Sequence, residues 1–294
     1  MVLGLLALVV ATERSHSQSY SFPATNQWTL RYVGSNAPTW YQPWMLSISD
    51  GKYLAGMSVS DDGLSWRAMA NPTDVSYWVN NTGYGAGTYI ITGAAGDVWN
   101  GINETNWTKR SSPIGEDLTA ICYGNQTFVA RGYWTAGLLM VSTNRGTNWT
   151  SVGTGTFTMF PGTDGRHYNF ISYTNGKFFY PLYDSVRTSP DGFTWTTTAI
   201  TNRVNDFRMN AAGCYDNGMY VGAYQTSSNA TTKTITTGFS SNGTQWSFNT
   251  ATINSTHSST FWITGAAAGY IMIYAAQPSE LWISSNRGVS WSRA

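Results

Sequence analysis

The chain reads as an all-β protein, a six-bladed β-propeller of four-stranded antiparallel blades whose ring is closed by an N-terminal strand. Three observations predict this. Six tryptophans, Trp66, Trp107, Trp149, Trp195, Trp246 and Trp291, recur at separations of 41, 42, 46, 51 and 45 residues, and self-similarity at such a period marks a solenoid, a propeller or an array. Five of the six close the same short phrase. No stretch between them carries sustained helical periodicity.

Each unit opens on an apolar run, at residues 45–48, 75–79, 118–123, 168–173, 209–215 and 259–264. A tight turn with Gly or Asn leads to a variable residue, an aromatic and a second apolar residue. These are Lys52-Tyr53-Leu54, Thr88-Tyr89-Ile90, Thr127-Phe128-Val129, Lys177-Phe178-Phe179, Met219-Tyr220-Val221 and Gly269-Tyr270-Ile271. A variable loop follows, then a third run such as 138–141 or 281–283, then the turn phrase and its Trp. Short runs rich in β-branched and aromatic residues, bounded by Gly, Asn, Asp and Ser, are strands. Four per unit in six units make a propeller, whose sheets leave only short edges.

The turn phrase is Ser142-Thr143-Asn144-Arg145-Gly146-Thr147-Asn148-Trp149 in one copy and Ser284-Ser285-Asn286-Arg287-Gly288-Val289-Ser290-Trp291 in another. Shorter copies are Ser60-Asp61-Asp62-Gly63-Leu64-Ser65-Trp66, Ser189-Pro190-Asp191-Gly192-Phe193-Thr194-Trp195 and Ser240-Ser241-Asn242-Gly243-Thr244-Gln245-Trp246; the copy before Trp107 is degenerate. Gly supplies a positive φ. The Asp or Asn side chain bonds nearby amides, and the Ser hydroxyl joins that network. The Trp starts the outer strand and folds its ring back over the turn.

These phrases resemble Asp-box repeats, also called bacterial neuraminidase repeats, over roughly residues 44–291. Such repeats occur in sialidases, sortilin-type receptors, some glycoside hydrolases and many phage tail proteins, and the short units here are closest in style to phage tail and virion-surface propellers. The resemblance implies a structural role on the outer rim, between third and fourth strands, for Asp62, Trp66, Trp107, Asn144, Gly146, Trp149, Asp191, Gly192, Trp195, Asn242, Gly243, Trp246, Asn286, Gly288 and Trp291.

Trp28, in Asn26-Gln27-Trp28-Thr29-Leu30, looks like a further outer strand without its own blade, and only three residues follow Trp291. Residues 26–33 are therefore expected to complete the last blade and join the chain ends. That gives two segments: an apolar arm or leader at 1–25 and the propeller at 26–294. Residues 1–10 are apolar but too short to span a bilayer as a helix. Val9 and Ala11 suit a signal-peptidase site; an arm held by a neighbouring subunit is the other reading.

Charged residues make up 11% of the 294 and the formal net charge is +1. That argues against the basic footprint of a nucleic-acid binder and against electrostatic steering of an anionic partner. Aromatics at 15%, among abundant Ser, Thr, Asn and Gly, suit an extracellular or virion β-protein. Cys122 and Cys214 fall at equivalent first-strand positions of non-adjacent blades, too far apart to be bridged. They read as free thiols, and nothing at ligand spacing implies a metal or cofactor. Sequons at Asn80, Asn103, Asn125, Asn229 and Asn254 matter only in a eukaryotic host.

Propeller functions usually lie on the face made by second-to-third-strand loops, here 131–137, 180–187, 223–237 and 274–280, and by inter-blade loops such as 108–117, 151–168, 197–207 and 248–259. The candidate binding residues there are Tyr133, Trp134, Tyr183, Asp184, Arg187 and Tyr224, because Tyr and Trp give large rigid contact area at low entropy cost. A sialidase would need three arginines on a carboxylate, a Tyr nucleophile with a Glu partner and an Asp acid/base. The family's Arg-Ile-Pro phrase is missing, Arg31 in Leu30-Arg31-Tyr32-Val33 does not match it, and Glu occurs only at 13, 104, 116 and 280. A two-carboxylate glycosidase would draw on Glu116, Asp117, Asp184 and Asp206. The leading expectation is a non-enzymatic structural or recognition propeller of an extracellular or virion assembly, contacting glycan or neighbouring subunits. A secreted glycan-active enzyme on the same scaffold is the alternative.

Overall fold

The computed structural model describes residues 46–62, 65–75, 79–132, 138–153, 171–181, 185–201, 214–216, 218–229, 231–256, 262–267, 269–276 and 279–293. These residues are all-β, arranged as six propeller blades of antiparallel strands with one 3-10 turn. The first blade is β1 (Leu46–Ser49), β2 (Lys52–Ala55), β3 (Ser58–Ser60) and β4 (Trp66–Ala68). The second is β5 (Val79–Gly85), β6 (Thr88–Gly93), β7 (Val98–Gly101) and β8 (Thr108–Arg110), with the 3-10 turn at Ala94–Gly96. The third is β9 (Leu118–Gly124), β10 (Thr127–Gly132), β11 (Leu138–Ser142) and β12 (Thr150–Gly153). The fourth is β13 (Ser172–Thr174), β14 (Lys177–Pro181), β15 (Ser185–Ser189) and β16 (Thr196–Ala199). The fifth is β17 (Cys214–Asp216), β18 (Met219–Ser228), β19 (Thr232–Ser240) and β20 (Ser247–Asn254). The sixth is β21 (Trp262–Ala267), β22 (Tyr270–Ala276), β23 (Ser279–Ser284) and β24 (Ser292–Arg293). The first four blades are separate meanders in sequence order, while the fifth and sixth share one sheet through the pairing of Tyr224 with Trp262.

Two compact units divide the chain, one of residues 32–180 with 187–197, the other of residues 1–31, 181–186 and 198–294. In the first, apolar side chains from facing blades make the core. Leu54, Val59, Val79, Tyr89, Ile91 and Trp99 form one cluster, and Ile90, Val98, Leu118, Ile121, Phe128 and Met140 another. In the second, Val221, Ala223, Ile235, Ile271, Ile273 and Trp282 pack together. Alternation sends consecutive residues to opposite faces of a blade, Ile91 and Trp99 to one cluster and Ile90 and Val98 to the other. β6 and β10 are buried at all six positions, because a central strand with a blade on each side has no wet face.

A ladder of three rings crosses each of blades two to four. Tyr84, Tyr89 and Trp107 have centroid steps of 4.6 and 6.4 Å. Tyr123, Phe128 and Trp149 follow at 4.7 and 6.5 Å, and Tyr173, Phe178 and Trp195 at 4.9 and 6.4 Å. Tilted and edge-on rings at these distances add to simple area burial. The first ring of each ladder also lies on the preceding blade. A Cβ at Gly85 would fall 2.0 Å from Tyr123, and one at Gly124 would fall 1.8 Å from Tyr173.

Some boundaries differ from the sequence expectation. The first strand of the second blade begins at Val79, where the apolar run was expected to end. Residues 223–237 read as a loop but continue β18 to Ser228 and resume in β19 at Thr232, and 248–254, also expected as loop, extend β20. The β-branched threonines satisfy a pleated surface, and a bulge between Gln225 and Ser227 re-aims the chain. Residues 26–33 and the arm at 1–25 lie outside the described residues. Cys122 is a buried free thiol, held well above its ordinary pKa by burial; the Cys214 side chain lies outside the described ones.

Candidate recognition face

The two ends of the blades are chemically different. At the hairpin end, the turn phrases form a repeated polar network. The Ser hydroxyl donates to the Asp or Asn Oδ1 at 2.9 to 3.1 Å in the pairs Ser60–Asp62, Ser142–Asn144, Ser189–Asp191, Ser240–Asn242 and Ser284–Asn286. That Oδ1 also accepts a backbone N–H three or four residues on, from Ser65, Asn148, Thr194, Gln245 and Ser290, at 2.7 to 2.9 Å. The Ser Oγ accepts the N–H of Gly146, Gly192, Gly243 and Gly288. Indole Nε1 of Trp149, Trp195 and Trp246 then donates to the carbonyl of the turn glycine at 3.0, 2.7 and 2.9 Å. Trp291 differs, its Nε1 buried with no hydrogen-bond partner among the described residues. In the degenerate second-blade copy, Asn103 takes the acidic position, its Oδ1 accepting the N–H of Thr105 and Asn106, while Trp107 reaches Ala70 O. Asp191 is held below the usual carboxylate range by the Thr194 N–H, opposed by burial and helped by the Phe193 N–H.

These turns also dock on the preceding blade. Asn100 Nδ2 donates to Arg145 O, Asn125 Nδ2 to Pro190 O and Asn249 Nδ2 to Arg287 O, at 3.0, 2.9 and 2.9 Å. The turn glycines sit where no side chain fits. A Cβ at Gly288 (φ 81°) would lie 2.0 Å from Thr237 Oγ1, and one at Gly146 2.2 Å from Ile90 Cδ1.

At the other end, where second strands run into their loops, the first unit buries two guanidinium groups. Arg131 closes β10 at 2% exposure and Arg187 lies in β15 at 5%. Arg131 Nε donates to the hydroxyl of buried Tyr180 at 2.5 Å, and its guanidinium lies 5.3 Å from that ring's centroid. Burial pushes Arg187 down to about 10, with Tyr180 opposing the shift, so it stays charged at neutral pH. Glu116 rests against Gly132, where a Cβ would be 2.1 Å from Oε1. Asp117 instead accepts the Ala95 N–H at 2.9 Å, fixing the 3-10 turn of the neighbouring blade. Arg187, one of the candidate binding residues, is thus buried in β15. Tyr224 belongs to the second unit, inside β18 opposite Thr236. Tyr133, Trp134, Tyr183 and Asp184 lie outside the described residues.

Reasoning from sequence missed Arg131 as Tyr180's partner. The signal was there: one arginine ending the otherwise apolar Phe128-Val129-Ala130-Arg131 run. Among the described residues no group of three or more His, Cys, Asp or Glu could hold a metal ion, and no helix is long and apolar enough to cross a membrane.

No protein-family model matches the sequence, and no curated protein matches it. Solved propellers do resemble the fold. A GH74 enzyme of Niastella koreensis is 19% identical over 84% of this chain and 36% of its own, with a TM-score of 0.49; the chain thus spans little more than a third of that enzyme. The WD40 repeats of RRP9 are 9% identical over 83% of this chain and 75% of theirs, with a TM-score of 0.49. An exo-1,5-alpha-L-arabinanase from a bovine ruminal metagenomic library is 13% identical over 70% of this chain and 92% of its own, with a TM-score of 0.34. At identities of 9 to 19% and TM-scores below 0.5, these likenesses carry no activity across to this chain.

Proposed function

We propose that the protein is a non-enzymatic recognition or structural propeller of an extracellular or virion assembly, contacting glycan or a neighbouring subunit through its loop face. One observation carries this reading. Eight of the described carboxylates are tied into the scaffold, and Glu116 rests against Gly132. Asp50 caps the Ala86 N–H, Asp74 accepts the Trp99 indole, Asp97 pairs with Lys109, and Glu104 takes both Arg67 and the Tyr89 hydroxyl. Asp62 and Asp191 hold turns, Asp117 holds a 3-10 turn, and Glu280 accepts from Ser255. A two-carboxylate hydrolase needs an acid and a base facing a cleft, and groups tied into turns and strand ends are poorly placed for either role. The resemblance of the turn phrases to Asp-box repeats of phage tail proteins supports the assembly context by analogy.

Fractionation of the native source tests the reading: the protein should travel with particles or filaments. A glycan array should show binding that falls for Trp134→Ala or Tyr183→Ala. Turnover of a glycan substrate that is abolished by Glu116→Gln or Asp184→Asn would replace this reading with the enzymatic one.

A further inference from the structure

Four Asn-Gly pairs occur in the chain, at Asn100, Asn175, Asn217 and Asn242. An Asn followed by Gly can cyclise because the next backbone nitrogen carries no side chain to shield it. That nitrogen attacks Asn Cγ, the new C–N bond closes a succinimide, and the side-chain nitrogen leaves as ammonia. Water then opens the ring to Asp or to isoaspartate, with no oxidant or reductant required.

The fold treats these pairs differently. Asn100 is 9% exposed, with Nδ2 bound to Arg145 O and Oδ1 to Arg110 Nε. Asn242 Oδ1 accepts from the Thr244 and Gln245 amides, and the attacking nitrogen itself, Gly243 N, donates to Ser240 Oγ at 2.9 Å. Asn175 is exposed at the two-residue turn between β13 and β14, and no hydrogen bond among the described residues holds its side chain. Nothing lies within 4 Å of a Cβ built on Gly176. Both turn residues are left-handed, φ 50° and 73°, so cyclisation requires the turn to open. β13 has only three residues, paired from Ser172–Phe179 to Thr174–Lys177, and opening at such a strand end belongs to the low-free-energy range of local fluctuations.

We propose that Asn175 is a spontaneous modification site, converting from amide to carboxylate as the protein ages. The consequence is large for this composition. The formal net charge is +1, so one new carboxylate brings it to zero, where self-association is favoured. The isoaspartyl product also adds a backbone atom to a turn of two residues, loosening the Thr174–Lys177 pair.

The test incubates the full chain in mildly alkaline buffer, follows acidic species by isoelectric focusing, and maps them by peptide mass and isoaspartyl methyl labelling. The acidic form should map to the peptide containing Asn175 on the order of tenfold faster than to those containing Asn100 or Asn242. Asn175→Gly keeps a residue suited to the left-handed turn and should abolish that band. The proposal is overturned if no acidic form appears, if it arises first at Asn100, Asn217 or Asn242, or if Asn175→Gly forms it at an unchanged rate.

Discussion

At the scale of single residues, the turn glycines separate two effects that are usually confounded. Gly87 and Gly288 both have positive φ, 72° and 81°. A Cβ at Gly87 meets nothing within 4 Å, whereas at Gly288 it meets Thr237 Oγ1 at 2.0 Å and Cβ at 2.5 Å. Gly87→Ala should therefore cost about 1 kcal/mol, the conformational part alone. Gly288→Ala should cost a further ~1–3 kcal/mol of overpacking. Urea midpoints of the two variants measure the difference, and equal losses would remove the claim that the last turn is clamped against β19. Asp191 allows a test by pH. Its folded pKa is depressed, so its contribution is present above the ordinary carboxylate value and lost as pH falls through the folded one, below about pH 4. Asn144, Asn242 and Asn286 make the same bonds uncharged. Asp191→Asn should be nearly neutral at pH 7, within about 1 kcal/mol, and should lose less stability between pH 7 and pH 3 than the parent. An unchanged acid branch in the variant would assign that sensitivity elsewhere.

At the scale of the element, each indole is a bridge between a turn and an outer strand, and the copies are not equivalent. Trp149→Phe removes the bond to Gly146 O and part of a ring packed on Phe128, for a cost of about 1–3 kcal/mol. Trp291 has no such bond to lose, so Trp291→Phe should cost about 1 kcal/mol less. Thermal unfolding of the pair decides it, and a larger loss at Trp291 would mean that its indole has a partner. These elements were legible because the turn phrase is local: Ser, Asp or Asn, Gly and Trp interact within eight residues. Blade five was not. Its residues 223–237 have the Ser, Thr and Asn content of a loop, and it is the pairing of β18 with β19, and of β19 with β20, that makes them strands. The Arg131–Tyr180 contact spans 49 positions, beyond what spacing reveals, although an arginine at an inward strand position was a visible anomaly. Tyr133 and Trp134 stand out in the sequence by aromatic character, which a contact residue and one packed in its loop share.

At the scale of the whole molecule, the governing quantity is how little charge there is. Sixteen basic and fifteen acidic residues in 294 leave few long-range fields, and the described ion pairs are short local contacts such as Arg67 with Asp61 and Glu104 at 2.5 and 2.6 Å. Pairs of this kind with exposed partners contribute about 0–1 kcal/mol each. Raising NaCl from about 0.05 to about 0.5 M compresses the screening length several-fold, yet the melting temperature should move by less than about 2 °C. Low charge bears on binding as well as on stability. A neutral glycan or an uncharged subunit surface, met by aromatic and hydroxyl groups, gains nothing from steering, so its affinity should change by less than about threefold over that salt range. Affinity that falls steeply and log-linearly with salt would require a dense anionic partner and a cationic face. In that case the buried Arg131 and Arg187 would have to become accessible, and the neutral-partner reading would fail.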